Sequence, residues 1–220
     1  MRSIFVLIAL LAASQVLSAT ATVSAYDPSA GVPAGDVLIT ACGNNDTTDT
    51  VTSVTDNLNN TYLRINYTFQ PIVRGGTSLW VYYSVVTTGG PITVTFHGNS
   101  PCTYGWSLEG HFTGPFAIDG SSHNYDASGS CDPGPITTTG PGFVFGICVA
   151  GAAGSVGTES AGYTLGSTSN GDEDSEYRIT SSAGTYDATF NSNSANWLAM
   201  AVAFSEPAAA PALAKRRILF

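Results

Sequence analysis

Residues 91–97 read Pro-Ile-Thr-Val-Thr-Phe-His and give the clearest indication of the fold. Ile92, Val94 and Phe96 alternate with polar residues, and side chains at every second position of a β-strand share one face. The Gly-Gly pair directly before this run is typical of a hairpin turn. The stretch therefore predicts a half-buried strand that follows a tight turn.

Similar short runs, separated by Gly, Asn, Asp and Pro, recur on both sides of this strand. They predict an all-β fold, a single antiparallel β-sandwich of two sheets that spans residues 36–205. We expect Leu63, Phe96 and Val202 to share its interior. The predicted strands are residues 62–69, 79–86, 91–97, 104–112, 143–150, 177–181, 184–190 and 197–204.

The two ends of the chain differ from this body. Residues 1–21 have a basic start, an apolar run and small residues before a cleavage position, which together predict a secretory signal peptide. The alternative is an uncleaved membrane anchor, but the apolar run is short for a bilayer span. We expect residues 22–35 to form an extended arm and the Ala- and Pro-rich residues 206–220 to be a disordered tail with a basic end.

Charge is sparse and unevenly distributed along the chain. The formal net charge is −9, and only 10% of the residues are charged. Four of the seven basic residues lie in the predicted leader and tail, so the body keeps only Arg64, Arg74 and Arg178. An acidic body repels phosphate groups, which disfavours nucleic acid as a partner.

Four cysteines follow the predicted leader, and an even number in an exported chain predicts two disulfides with three connectivities to choose from. Cys42 and Cys148 lie in similar predicted strands, residues 37–42 and 143–148, and Cys102 and Cys131 bracket a loop-rich stretch. The favoured pairs are therefore Cys42–Cys148 and Cys102–Cys131. Free buried thiols or metal ligands are the alternative, but no Cys-x-x-Cys or histidine spacing supports zinc.

The order of several short motifs resembles a recurrent extracellular jelly-roll domain of bacteria and archaea, similar in shape to legume-lectin-type sandwiches. The resemblance implies adhesion or glycan binding and assigns no residue. The chain departs from the pattern where a long first strand is replaced by the short arm. The motifs are Ala-Gly-Asp-Val-Leu-Ile at 34–39, Val-Thr-Asp-Asn-Leu-Asn-Asn-Thr-Tyr at 54–62, Thr-Val-Thr-Phe at 93–96, Gly-Tyr-Thr-Leu at 162–165 and Gly-Thr-Tyr-Asp-Ala-Thr-Phe at 184–190.

No catalytic residue is predicted. Glycosidases of this shape need two carboxylates across one sugar, and Glu109 is the only acid in the run 104–112. His97, His111 and His123 have no nucleophile motif or metal-binding motif beside them, so scattered surface histidines are the simpler interpretation. The sequence therefore favours a non-catalytic protein.

Trp80 and Tyr82 are the candidate glycan-binding residues. They lie on the second face of residues 79–86, and flat aromatic rings stack on the C–H faces of sugars. The alternative is a central strand in which both faces are buried. Trp106 and Trp197 are further aromatic candidates, although Trp106 alternates with apolar residues as a core residue would.

Two other kinds of site are predicted. Asp172, Asp174 and Glu176 fall in an acidic cluster that could bind Ca²⁺, although a solvated acidic turn explains the same residues. No other cofactor is expected. Asn-x-Ser/Thr sequons permit N-glycosylation in a host that has the machinery, although such triplets also arise by chance in a Thr-rich chain. The sequons begin at Asn45, Asn59 and Asn66.

Together these features predict a secreted or cell-surface binding module with no membrane span in the mature chain. Its expected partner is an extracellular glycan. The alternative is a structural subunit of a surface layer or filament, in which the arm of one copy adds a strand to its neighbour.

Overall fold

A computed structural model describes residues 23–25, 31–44, 51–65, 72–74, 77–99, 110–112, 116–126, 129–150, 159–169, 173–191 and 197–206. Their regular structure is β-strand throughout. The strands are β1 (Val23–Ala25), β2 (Val37–Asn44), β3 (Val51–Asp56), β4 (Leu63–Arg64), β5 (Ile72–Arg74), β6 (Thr77–Val85), β7 (Val94–Gly98), β8 (Gly110–Phe112), β9 (Ala117–Asp126), β10 (Ile136–Thr138), β11 (Gly142–Ala150), β12 (Thr164–Ser169), β13 (Glu173–Thr180), β14 (Gly184–Tyr186) and β15 (Trp197–Ser205).

Two large antiparallel sheets pack face to face around the main core. The six-stranded sheet has the order β1-β8-β2-β6-β4, with β5 also paired to β6, and the five-stranded sheet has the order β12-β13-β11-β15-β9. Alternate apolar side chains from β2, β6 and β8 meet those from β11 and β15. Phe143 is central to this core, because its ring stacks on those of Phe112 and Phe204.

A two-stranded ribbon covers the outer face of each large sheet. The ribbon β3-β7 packs on Trp80 and Tyr82 of β6, and the ribbon β10-β14 packs on the alanine-rich side of β15. β11 is buried on both faces along its whole length. Burial of both faces removes the need for an outer polar face, which explains why β11 carries no charged residue.

The predicted all-β class is confirmed, but the layout is richer than a single pair of sheets. The expectation of one shared interior is wrong in detail. Val202 lies in the main core. Phe96 lies on the inner face of the β3-β7 ribbon, in a separate cluster with Trp80 and Tyr82. Leu63 is 53% exposed. Leu63 ends outside because β4 is a two-residue edge strand with no strand beyond it among the described residues.

The predicted arm contacts the body at two places. Val23–Ala25 pairs antiparallel with Gly110–Phe112 of the same chain. Val32 is 1% exposed and forms a bridge with Gly90. Residues 1–22 and 207–220, which carry the predicted leader and most of the predicted tail, lie outside the described residues. In the described part of the chain, no helix has the length and apolar character that a bilayer crossing requires.

Candidate functional site

The predicted aromatic platform is buried. Trp80 and Tyr82 are each 4% exposed, because the β3-β7 ribbon lies directly over them. The Tyr82 hydroxyl donates to the carbonyl oxygen of Val51 in that ribbon at 3.2 Å. The interpretation of these two rings as a sugar-stacking surface is therefore wrong, and the central-strand alternative is correct. Trp197 is buried as well, and Trp106 lies outside the described residues.

The surface that replaces this platform is the outer face of the same ribbon. Ser53 is paired with His97, and Thr55 is paired with Thr95. All four side chains are exposed, and the Thr55 hydroxyl lies 2.7 Å from His97 Nε2. The face therefore presents hydroxyl and imidazole hydrogen-bonding groups on a two-stranded support, and we call it the hydroxyl face.

Asp56 ends β3 and fastens the turn that follows it. Its Oδ1 accepts from the backbone N–H groups of Leu58 and Asn60 at 2.8 and 3.0 Å. Its Oδ2 accepts from Asn60 Nδ2 and from the Tyr62 hydroxyl, both at 2.9 Å. Burial alone would raise the Asp56 pKa, but these hydrogen bonds outweigh it, so the pKa lies below its ordinary value. Asp56 is therefore an ionised structural anchor.

A second group of polar residues lies on the outer face of the five-stranded sheet. Glu176 of β13 is completely buried opposite Gly146 of β11. Its Oε2 accepts from the Ser160 backbone N–H at 2.6 Å, and its Oε1 lies 2.8 Å from Ser160 Oγ. Gly146 makes this packing feasible, since a Cβ there would come within 2.6 Å of the Ala188 side chain. Glu176 thus connects the segments 159–163 and 187–190 to the sheet.

Other acids surround Glu176. Burial raises its pKa, the Ser160 hydrogen bonds oppose that change, and the charges of Glu159 and Asp187 raise the pKa further. Burial and the charge of Glu159 raise the pKa of Asp174 to about 6. Burial and the neighbouring Asp132 carboxyl also raise the Asp187 pKa. This acidic cluster favours protonated carboxyl groups, the opposite of the Asp56 turn.

An aromatic pair with an arginine borders the acidic cluster. The Arg178 guanidinium lies 5.9 Å from the Tyr163 ring centre and 5.1 Å from that of Tyr186. Burial raises the pKa of the Tyr163 hydroxyl, which is buried without a hydrogen-bond partner. Since Arg178 occupies one side of each ring, these rings are part of the scaffold rather than an open stacking surface.

The predicted calcium ligands are only partly described. Asp174 is 4% exposed and Glu176 is fully buried, so neither belongs to a solvated turn. Asp172 lies outside the described residues. Within the described part of the chain, no three His, Cys, Asp or Glu side chains are placed to hold a metal ion. The calcium site stays a prediction.

The predicted disulfide pairing is wrong. Cys131 is bonded to Cys148, with their Cα atoms 6.1 Å apart. Cys42 is also disulfide-bonded, and Cys102 lies outside the described residues. The predicted pairs fail because Cys42 points under the β3-β7 ribbon, whereas Cys148 points to the far side of the other sheet. The bond connects the layer that holds Cys131 to the central strand β11.

The remaining candidates are dispersed. Asn59 lies in the exposed Asp56 turn with φ of 60°, a backbone conformation that Asn tolerates better than most residues. Burial lowers the His123 pKa, and Glu109 and the sequon residues Asn45 and Asn66 lie outside the described residues. His97 lies on β7 and His123 on β9, and the His111 side chain lies outside the described residues.

No protein-family model matches this chain, and no curated protein or solved structure is significantly similar to it. The resemblance to lectin-like jelly rolls therefore stays a prediction from sequence motifs. The functional argument depends on the residues of this chain alone.

Proposed function

We propose that the protein is an exported, non-catalytic β-sandwich module that adheres to extracellular glycans through its hydroxyl face. The observation that carries this proposal is the exposed set of hydroxyl and imidazole groups on the β3-β7 ribbon, which consists of Ser53, Thr55, Thr95 and His97. Hydroxyl and imidazole groups both donate and accept hydrogen bonds, as sugar hydroxyls require. The lectin-like jelly-roll connectivity inferred from the sequence motifs belongs to the same proposal.

Export is supported by cysteine chemistry. Cys42, Cys131 and Cys148 are all disulfide-bonded, and such bonds persist in oxidising compartments. A non-catalytic role is supported by the described acids that fasten the scaffold. Asp119, for example, accepts from Ser205 and from the backbone and hydroxyl of Thr139. A carboxylate committed to such bonds is a poor general acid or base.

A glycan array probed with the mature protein tests the proposal. The informative variant is Thr55→Val/Thr95→Val, which removes two hydroxyls while keeping β-branched side chains on the strands. We expect it to reduce binding at least about tenfold, the equivalent of roughly 1.4 kcal/mol. Thr137→Val is the matched control, because Thr137 is an exposed, cross-strand-paired threonine on the other ribbon. Absence of glycan binding, or equal loss in the control, would contradict the proposal.

A structural subunit is the second candidate, and the pairing of β1 with β8 favours it. Val23–Ala25 adds to the edge of the six-stranded sheet, where the same residues of a neighbouring copy could add instead. In that assembly the arm would exchange between copies without any change in its contacts.

Deletion of residues 22–30 separates the two candidates. The deletion ends before Gly31 because Val32 is part of the buried core, and removing Val32 would destabilise the fold whether or not the arm is exchanged. Size-exclusion chromatography of the intact mature protein should show a larger species that the deletion converts to monomer. A monomer in both cases would exclude the arm-exchanged subunit.

A further inference from the structure

The hydroxyl of Ser160 has more partners than its single proton can serve. Ser160 Oγ lies 2.8 Å from Glu176 Oε1, 2.7 Å from the Thr189 carbonyl oxygen and 2.6 Å from the Thr189 amide nitrogen. The Thr189 N–H donates to Oγ. The other two partners are both acceptors if Glu176 is ionised, and a serine hydroxyl has one proton to give.

A proton on Glu176 satisfies every contact. The carboxylic O–H then donates to Ser160 Oγ, the Ser160 hydroxyl donates to the Thr189 carbonyl, and the Thr189 N–H donates back to Ser160. Ser160 thus donates once and accepts twice, which is its full capacity. The second carboxyl oxygen still accepts from the Ser160 N–H.

The surroundings of Glu176 agree with this proton count. Glu176 is completely buried, and a charge there would lack both water and, among the described residues, a counter-ion. Asp174 lies on the same face of β13, where its Oδ1 has no hydrogen-bond partner, and Glu159 and Asp187 approach from the two attached segments. The Arg178 guanidinium lies over the rings of Tyr163 and Tyr186 instead. On the neighbouring strand β11, the facing residues Val144, Gly146 and Cys148 carry no charge.

We propose that Glu176 carries a proton at neutral pH and that the neutral acid is a pH-sensitive latch, which holds residues 159–163 and 187–190 on the five-stranded sheet. Loss of the proton leaves two acceptors in contact at Ser160 and adds a charge beside Glu159, Asp174 and Asp187. The latch therefore weakens as the pH rises. Because Ala188 and Phe190 of the second segment pack against β11 at Val144, Gly146 and Cys148, loosening exposes the outer side of β11.

The direct test is a pH titration of the Glu176 carboxyl carbon by ¹³C NMR in the unmodified protein. A midpoint above pH 7 supports the latch, and a midpoint below pH 7 overturns it. This measurement needs no variant, so it stands even if substitutions at this buried position fail to fold.

Glu176→Gln provides the complementary test, because the amide N–H can replace the acid proton toward Ser160. We expect hydrogen exchange of the Thr189 amide to be equally slow in both proteins at pH 5. At pH 9, we expect it to be at least about tenfold faster in the unmodified protein than in the variant, after correction for intrinsic exchange. Thr189 protection that is lower in the variant at both pH values would show that Glu176 acts as an ionised acceptor, and would overturn the proposal.

Discussion

Asp56 and Glu176 are both buried carboxyl groups that fasten a turn to a sheet, but their surroundings favour opposite charge states. Asp56 accepts four hydrogen bonds, three from N–H groups that can only donate and one from the Tyr62 hydroxyl, and ionisation improves each bond. Glu176 has one backbone donor, a serine hydroxyl that is needed elsewhere, and acids nearby. The comparison teaches that the number of committed donors, rather than burial alone, decides whether a buried acid holds its charge.

The largest expected change in the free energy of unfolding comes from the disulfide that supports the segment held by Glu176, residues 187–190. Cys131 is bridged to Phe190 by two backbone hydrogen bonds, so the Cys131–Cys148 disulfide ties the layer of residues 187–190 to β11. Replacing both cysteines by Ala should reduce the free energy of unfolding by about 3 kcal/mol, as expected for a loop of this length. Urea unfolding at pH 5 measures the loss. An unchanged free energy of unfolding would contradict the prediction and would show that the Cys131–Cys148 disulfide does not stabilise this part of the fold.

Asp56→Asn should have the next largest effect. The amide keeps one acceptor oxygen but places an NH₂ group against donors, and we expect a loss of about 2 kcal/mol in the free energy of unfolding. Glu176→Gln is the matched comparison, because its amide group fits the donors and acceptors around it and should cost little at pH 5. Equal losses of unfolding free energy in the two variants would contradict the inference that Asp56 is ionised and Glu176 is protonated.

The pH dependence of stability should reflect both anchors. Asp174, Glu176 and Asp187 have raised pKa values, so the folded state holds protons that the unfolded chain releases. The stability then falls as the pH rises through these values, by roughly 1 to 2 kcal/mol between pH 5 and pH 8. Asp56 and Asp119 have lowered pKa values, so their contribution is lost as the pH falls below about 4.

We therefore expect maximum stability in mildly acidic solution, measured by chemical denaturation from pH 3 to pH 9. Asp174→Asn should reduce the loss of stability at alkaline pH without changing the loss of stability at acid pH. A maximum above pH 8 would contradict the assignment of charge states in both regions.

The smallest effect is expected on the hydroxyl face. Thr55→Val/Thr95→Val should change the free energy of unfolding by less than about 0.5 kcal/mol, since both side chains are exposed. Thermal melts of this variant and of Thr137→Val check that any loss of binding is not a loss of fold. A large destabilisation would mean that these hydroxyls support the ribbon over Trp80 rather than a ligand.

The long apolar runs were the predictable strands. The runs 79–86, 143–150 and 197–204 correspond closely to β6, β11 and β15. β9 was missed because its residues are mostly Gly, Ser, Asn and Asp, with no apolar period. It is a strand because β15 provides a long antiparallel partner.

The candidate sites were less predictable than the strands. Trp80 and Tyr82 were correctly placed on the second face of β6, but the sequence does not say what covers that face. Glu176 was singled out for its charge, whereas its role depends on Ser160, sixteen residues away. A single serine in a Gly- and Ser-rich chain carries no signal of its own.

By itself, the sequence determined the β class and the division of each strong strand into two faces, because alternation follows from the local geometry of one extended chain. Only the tertiary structure decided which faces are covered, which cysteines meet and which acids keep their protons. Those outcomes depend on the neighbours that distant strands provide, since burial, disulfide geometry and pKa values all arise from groups brought together across the sheets.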